Sequence, residues 1–160
     1  MRILKIAFPS LTAALLLAAC ALNAVQPGMS REEVISSYGT PSRVVPLSAG
    51  TRLQYSRQPL GQSALMVDLD ASGKVVRARQ VLTLAEFSKI EAGKWTRDDV
   101  GREFGRPATI DRVASWPGDV MTYRWLDHDV SKYFWVYLDA SNVVQRTAQG
   151  IEFTGKRKGH

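Results

Sequence analysis

Cysteine is nearly absent. Cys20 is the single one in 160 residues, so no disulfide can form within the chain and packing alone must hold the fold. Histidine is almost as scarce, with only His128 and His160, and no cluster with zinc-type ligand spacing can be assembled. A glycine-rich phosphate loop and a nucleophile elbow are missing too, which removes the commonest nucleotide-binding and hydrolase signatures. No cofactor is expected. The formal net charge is +6, but Lys156, Arg157 and Lys158 supply three of the positive charges at the very end. The rest lacks the basic stripe that nucleic acid requires, so no nucleic-acid partner is expected. Low-complexity tethers are absent as well.

The longest apolar run is short. Ile6 to Ala19 is broken by Pro9, Ser10 and Thr12 and follows the basic Arg2 and Lys5; it is too brief for a bilayer span and reads as a signal peptide over 1–19. Its end, Leu17-Ala18-Ala19-Cys20, resembles the bacterial lipobox, in which the cysteine after the cut receives lipid. The alternative is a buried free thiol. Acylated Cys20 would carry no thiolate, and two or three chains at about 0.8 kcal/mol per buried methylene anchor a protein durably. Residues 20–27 then form a short tether. The tail 154–160 reads as a solvated basic end, with contact to anionic lipid as the other possibility.

What the chain does contain is a repeat. Ser30 to Pro41 recurs as Thr96 to Pro107, with Arg, Val, Gly and Pro identical and Ser/Thr, Glu/Asp and Tyr/Phe exchanged. Ser30 with Glu33, and Thr96 with Asp99, are capping boxes. The neighbouring acids suit the positive end of the helix dipole. Val34, Ile35 and Tyr38 share one helix face, as Val100 and Phe104 do in the second copy. Gly39 and Gly105 suit a left-handed residue after the helix, and Pro41 and Pro107 forbid continuation. Thr83 and Glu86 open a further short helix reaching Ile90.

Three strands follow each capped helix: Thr51 to Arg57, Ser63 to Asp70 and Lys74 to Leu82, then Val120 to Asp127, Lys132 to Asp139 and Val143 to Gly150. Weaker strands at Arg43 to Leu47 and Thr109 to Ala114 precede each trio. The pattern predicts an α+β fold of two tandem repeats, 28–82 and 83–153. Each has one or two short helices on an antiparallel meander of three or four strands.

Aligning the copies separates shared core from private surface. Leu65, Val67 and Leu69 match Phe134, Val136 and Leu138 and are expected under the helices. The opposite face reads Ala64, Met66 and Asp68 in the first copy but Tyr133, Trp135 and Tyr137 in the second. Those three aromatics are the candidate partner-binding residues, because rigid rings with polar tips make interface hot spots. Internal packing against the first repeat or a folded-back loop is the other reading. Tyr55 and Tyr123 occupy matching places and are expected to be structural. Asp127-His128-Asp129 could sketch a metal loop, but one histidine between carboxylates that alternate in direction lacks convergent ligand spacing, and a solvated turn is expected. No catalytic residue is expected.

With the lipobox, Gly28-Met29-Ser30 before a helix, Tyr38-Gly39-Thr40-Pro41 after it and a meander behind, the chain resembles the SmpA/OmlA (BamE-like) lipoproteins. The tandem layout, with Leu82 to Ile90 leading into Gly93 and Thr96, is similar to the β-lactamase inhibitor protein fold. The first resemblance implies a lipid-anchored protein at the periplasmic face of the outer membrane. It would act without catalysis as an accessory of β-barrel assembly or envelope integrity. Ala21, rather than Asp, after Cys20 fits delivery to that membrane. The second implies a module gripping a periplasmic enzyme or cell-wall factor through its sheet.

Overall fold

The structure, a computed structural model, describes residues 24–153. The expected signal peptide, Cys20, most of the tether, the basic tail and His160 lie outside the described residues. The element order is α1 (Arg31–Tyr38), β1 (Arg43–Leu47), β2 (Gly50–Ser56), β3 (Ala64–Asp70), β4 (Val75–Gln80) and α2 (Leu84–Phe87). The chain continues through α3 (Arg97–Phe104), β5 (Thr109–Arg112), β6 (Asp119–Asp127), β7 (Val130–Leu138) and β8 (Val144–Ile151). Two four-stranded antiparallel sheets result, β1-β2-β3-β4 and β5-β6-β7-β8. This is an α+β fold of two tandem repeats.

Both main helices form for the predicted reason. Ser30 Oγ accepts the Glu33 N–H while the Ser30 N–H donates to Glu33 Oε2, and Thr96 and Asp99 repeat the exchange. Their ends differ from the expectation in one respect. Gly39 and Gly105 have φ of 82° and 77° but ψ of −167° and −161°, outside the left-handed helical well. That corner of conformational space is open essentially to glycine alone. The glycine carbonyls then accept the phenols of Tyr55 (3.1 Å) and Tyr123 (2.9 Å), which confirms the structural reading of that pair.

Other matching details mark the copies as one unit used twice. Bulges fall at Asp68/Leu69 and Tyr137/Leu138, and single bridges join Ser30 to Lys74 and Thr96 to Val143. The boundaries shift slightly. α2 stops at Phe87, with Ser88 and Lys89 in a turn, and β5 stops at Arg112. β4 ends at Gln80, whose Oε1 accepts the Ala64 and Leu82 N–H groups and diverts the ladder.

Packing is where the copies part. The first core holds α1 against one face of the first sheet through Val34, Leu53, Val67, Leu69 and Val75. The second core is larger and crosses the repeats: Ala64 and Met66, on the other face of that sheet, join Phe87, Val100, Phe104, Tyr123, Trp125, Phe134 and Val136. The layers therefore run α1, first sheet, α2 with α3, second sheet. The difference in composition between the two copies' second faces has this cause. The first repeat's second face is the seat of α3, and among the described residues no helix covers the second repeat's.

Polar bonds pin the seam. Gln54, 1 % exposed, donates through Nε2 to the carbonyls of Gly101 (3.0 Å) and Arg102 (2.9 Å), and Arg52 Nη1 also reaches the latter (3.1 Å). Both carbonyls lie in the last turn of α3, where Gly101 also accepts the N–H of the capping Gly105. Before the start of β5, the Gln58 side chain takes the place of a neighbouring strand: its amide accepts from Arg124 N–H (3.0 Å) and donates to Arg124 C=O (2.7 Å).

The second capping box also sets a pH dependence. The Asp99 carboxyl is held below its ordinary range chiefly by the Thr96 N–H; burial opposes it, and the Thr96 hydroxyl and Arg102 add to the lowering. A folded-state value below the unfolded one means the unfolded chain binds more protons in acid. The contribution is therefore present above the unfolded value of about 3.9 and lost as pH falls through the folded value. Unfolding midpoints should decline below about pH 4, and the decline should be shallower in Asp99→Asn. An identical acid limb in both proteins would remove Asp99 from the account.

Candidate functional site

β7 carries alternate residues to opposite faces of the second sheet. Phe134, Val136 and Leu138 go to the core, while Tyr133, Trp135 and Tyr137 go to the outer face and remain half-buried. The structure thus brings the three predicted aromatics together in one row, paired across β6 with Arg124, Thr122 and Val120. It does not pack them on the first repeat's sheet. The first repeat's sheet meets the second repeat through α3 and the inner face instead, and only its Pro59 loop comes up beside Tyr133 and Trp135.

A folded-back loop does reach one of them. Trp116, between β5 and β6, lies edge-on to Tyr137 at 5.2 Å between centroids and donates its indole N–H to the Leu138 carbonyl (2.6 Å). The Arg146 guanidinium sits 3.8 Å from the Tyr137 centroid and 5.2 Å from that of Trp116, a cation over two aromatic faces. Sequence reasoning did not single out Trp116 or Arg146. The register Tyr137↔Arg146 that unites them depends on the bulge in β7–β8.

Trp135 rests on its own sheet. A Cβ at Gly150 would stand 2.8 Å from its Cη2 and 3.0 Å from its Cζ3, so the indole lies on the glycine backbone. Only a residue without a side chain admits that contact. Tyr133 stands beside it at 5.8 Å, its hydroxyl 3.3 Å from Glu152 Oε1. Burial, then the Glu152 charge, pushes the Tyr133 phenol up, which keeps it a neutral donor. Arg124 holds Glu152 with Nε at 2.9 Å and also donates to the carbonyls of Pro59 and Leu60.

These contacts shape an open depression of about 310 Å³ bordered by Pro59, Thr109, Asp111, Arg124, Tyr133 and Trp135. Leu60, at the tip of the first repeat's loop, is 92 % exposed next to it. The surface therefore combines rigid rings, held from below, with fixed cations and an exposed aliphatic tip. Such a face can bury area without ordering flexible side chains first.

The Asp127-His128-Asp129 segment is the hairpin turn between β6 and β7. Asp127 hydrogen-bonds Lys132, and the His128 side chain is 95 % exposed with φ of 54°. Among the described residues no group of three His, Cys, Asp or Glu side chains could hold a metal ion.

No protein-family model matches the chain, and no curated protein does. The resemblance to SmpA/OmlA lipoproteins accordingly rests on its motifs alone. Among solved structures, similarity extends to a DUF4309 family protein, YjgB, from Bacillus subtilis, at 14% identity over 77% of this chain and 78% of that one, with a TM-score of 0.34. It extends also to a protein from Streptococcus mutans described as a "putative beta-lactamase inhibitor protein", at 13% identity over 83% and 90% of the two chains, with a TM-score of 0.32. The two-repeat architecture stands on this chain's own strand order and register.

Proposed function

We propose that this chain is a non-catalytic, inhibitor-like interaction module that grips an exported enzyme or cell-wall factor through the outer face of its second sheet. The observation that carries this reading is the row Tyr133, Trp135 and Tyr137. It is braced by Gly150, Trp116 and Arg146, yet no helix among the described residues covers it, whereas the equivalent face of the first repeat is filled by α3. Interfaces concentrate binding energy in such aromatic and arginine anchors. The reading also carries the lipid anchor at Cys20, holding the module at the periplasmic face of the outer membrane.

The double variant Trp135→Ala/Tyr137→Ala tests it. Crosslinking in intact cells should join the native protein to a soluble exported enzyme through this face. The variant should lose that product by about tenfold or more while keeping the native far-ultraviolet spectrum. An undiminished product would remove the face from the interface. Recovery of β-barrel assembly components in its place would favour the accessory role implied by the SmpA/OmlA resemblance. For the anchor, Cys20→Ser should move the protein from the membrane fraction to the soluble one.

A further inference from the structure

A second concavity lies on the opposite side of the second sheet from Trp135, where the repeats meet. Its volume is about 440 Å³, within the range of small-molecule sites. Arginines from three separate places line it: Arg43 at the start of β1, Arg97 at the start of α3, and Arg106 just past the glycine that ends α3. Asp98 is the one carboxylate of its lining. Arg97 shares Asp119 with Arg112, at 2.9 Å each. Arg43 and Arg106 make no ion pair among the described residues.

Arg43 reaches out from the first sheet over α3, its Nη1 3.6 Å from where a Cβ of Gly101 would stand. Beneath it Gln54, almost fully buried, is locked by its two bonds to α3 carbonyls, and Met121 gives the wall an apolar stretch. Arg43 and Arg106 are both exposed at the rim, where unneutralised guanidinium groups gathered around a concavity raise the local positive potential, and their planar forks match oxyanions. Neither Arg43 nor Arg106 is needed to pair a charge in the fold. The geometry points to a ligand site: the cleft between the repeats binds a small molecule bearing an oxyanion, a carboxylate or a phosphate.

Calorimetric titration of the full solubilised chain at constant ionic strength tests this, with inorganic phosphate and citrate as separate probes. Saturable binding of at least one probe is expected. It should weaken about tenfold or more in Arg43→Gln/Arg106→Gln, with an unchanged unfolding midpoint in anion-free buffer. Arg43→Gln alone should give part of the loss, and Arg112→Gln none. A preference for phosphate would identify a phosphorylated ligand, and a preference for citrate a polycarboxylate. Equal affinity in the double variant and the native chain would overturn the proposal, as would no saturation by either probe at about 10 mM. Trp135→Ala should leave this binding untouched, so the outcome is separate from that of the outer face.

Discussion

Phe87→Ala is expected to lower stability by about 3–5 kcal/mol, a large fraction of the roughly 5–15 kcal/mol available to a domain. The ring is 1 % exposed and lies parallel to Phe134 at 4.0 Å. Phe104 stands at 5.0 Å, Trp125 edge-on at 5.7 Å and Tyr123 at 6.1 Å. No other described side chain touches so many of the rings in the second core. α2 has only four residues, and a single turn cannot offset its own nucleation cost. What keeps it in place is Phe87, with the Thr83 cap as a lesser aid. Truncation therefore opens a cavity among four rings and frees the helix as well. Leu84→Ala, on the same turn but 48 % exposed, should cost less than about 1 kcal/mol. Denaturant unfolding of both variants checks the contrast; equal losses would mean that α2 does not close the core.

Arg52→Met should cost about 3–5 kcal/mol, and adding Asp68→Leu should recover most of it. The Arg52 side chain is 6 % exposed. Its fork meets Asp68 at 2.5 and 3.0 Å, and Nη1 meets Glu103 Oε1 at 2.9 Å. Glu103 passes the connection to Arg79 (3.1 Å), which also binds Glu86 of α2. The network ties the first sheet to both helices of the second repeat. Removing the cation alone strands the Asp68 charge, 13 % exposed, against the seam. Removing both charges leaves an apolar pair, which is why the double variant should be milder than the single. A double-mutant cycle on unfolding free energies measures the coupling, expected at about 2 kcal/mol or more, the upper part of the range for contacting pairs. Strict additivity would show that the two side chains act independently.

Much of the local structure was legible because its causes are local. Ser30 with Glu33 and Thr96 with Asp99 meet across three residues, and the helix stops depend on Gly39 and Gly105 in place. Strand alternation placed Leu65, Val67 and Leu69 beside α1, and Phe134, Val136 and Leu138 beneath the helices of the second repeat. The candidate site was legible in part: Tyr133, Trp135 and Tyr137 stand out because the first repeat has nothing like them. Their supports were not legible. Trp116 reaches Leu138 across 22 residues and Arg124 reaches Pro59 across 65, separations at which sequence carries no spacing signal.

The sequence by itself determined that the unit is used twice, where its capped helices begin, and which side of β3 and β7 carries the core shared by both copies. These follow from hydrogen bonds and side-chain periods that span a few residues. Only the tertiary structure decided that α3 sits between the two sheets. That placement buries Ala64 and Met66, leaves the aromatic row facing outward, and gathers Arg43, Arg97 and Arg106 around one cleft. A sheet has two faces and each repeat offers one helical layer. Which face is left over depends on how the two copies stack, a contest between whole surfaces that no short stretch of residues encodes.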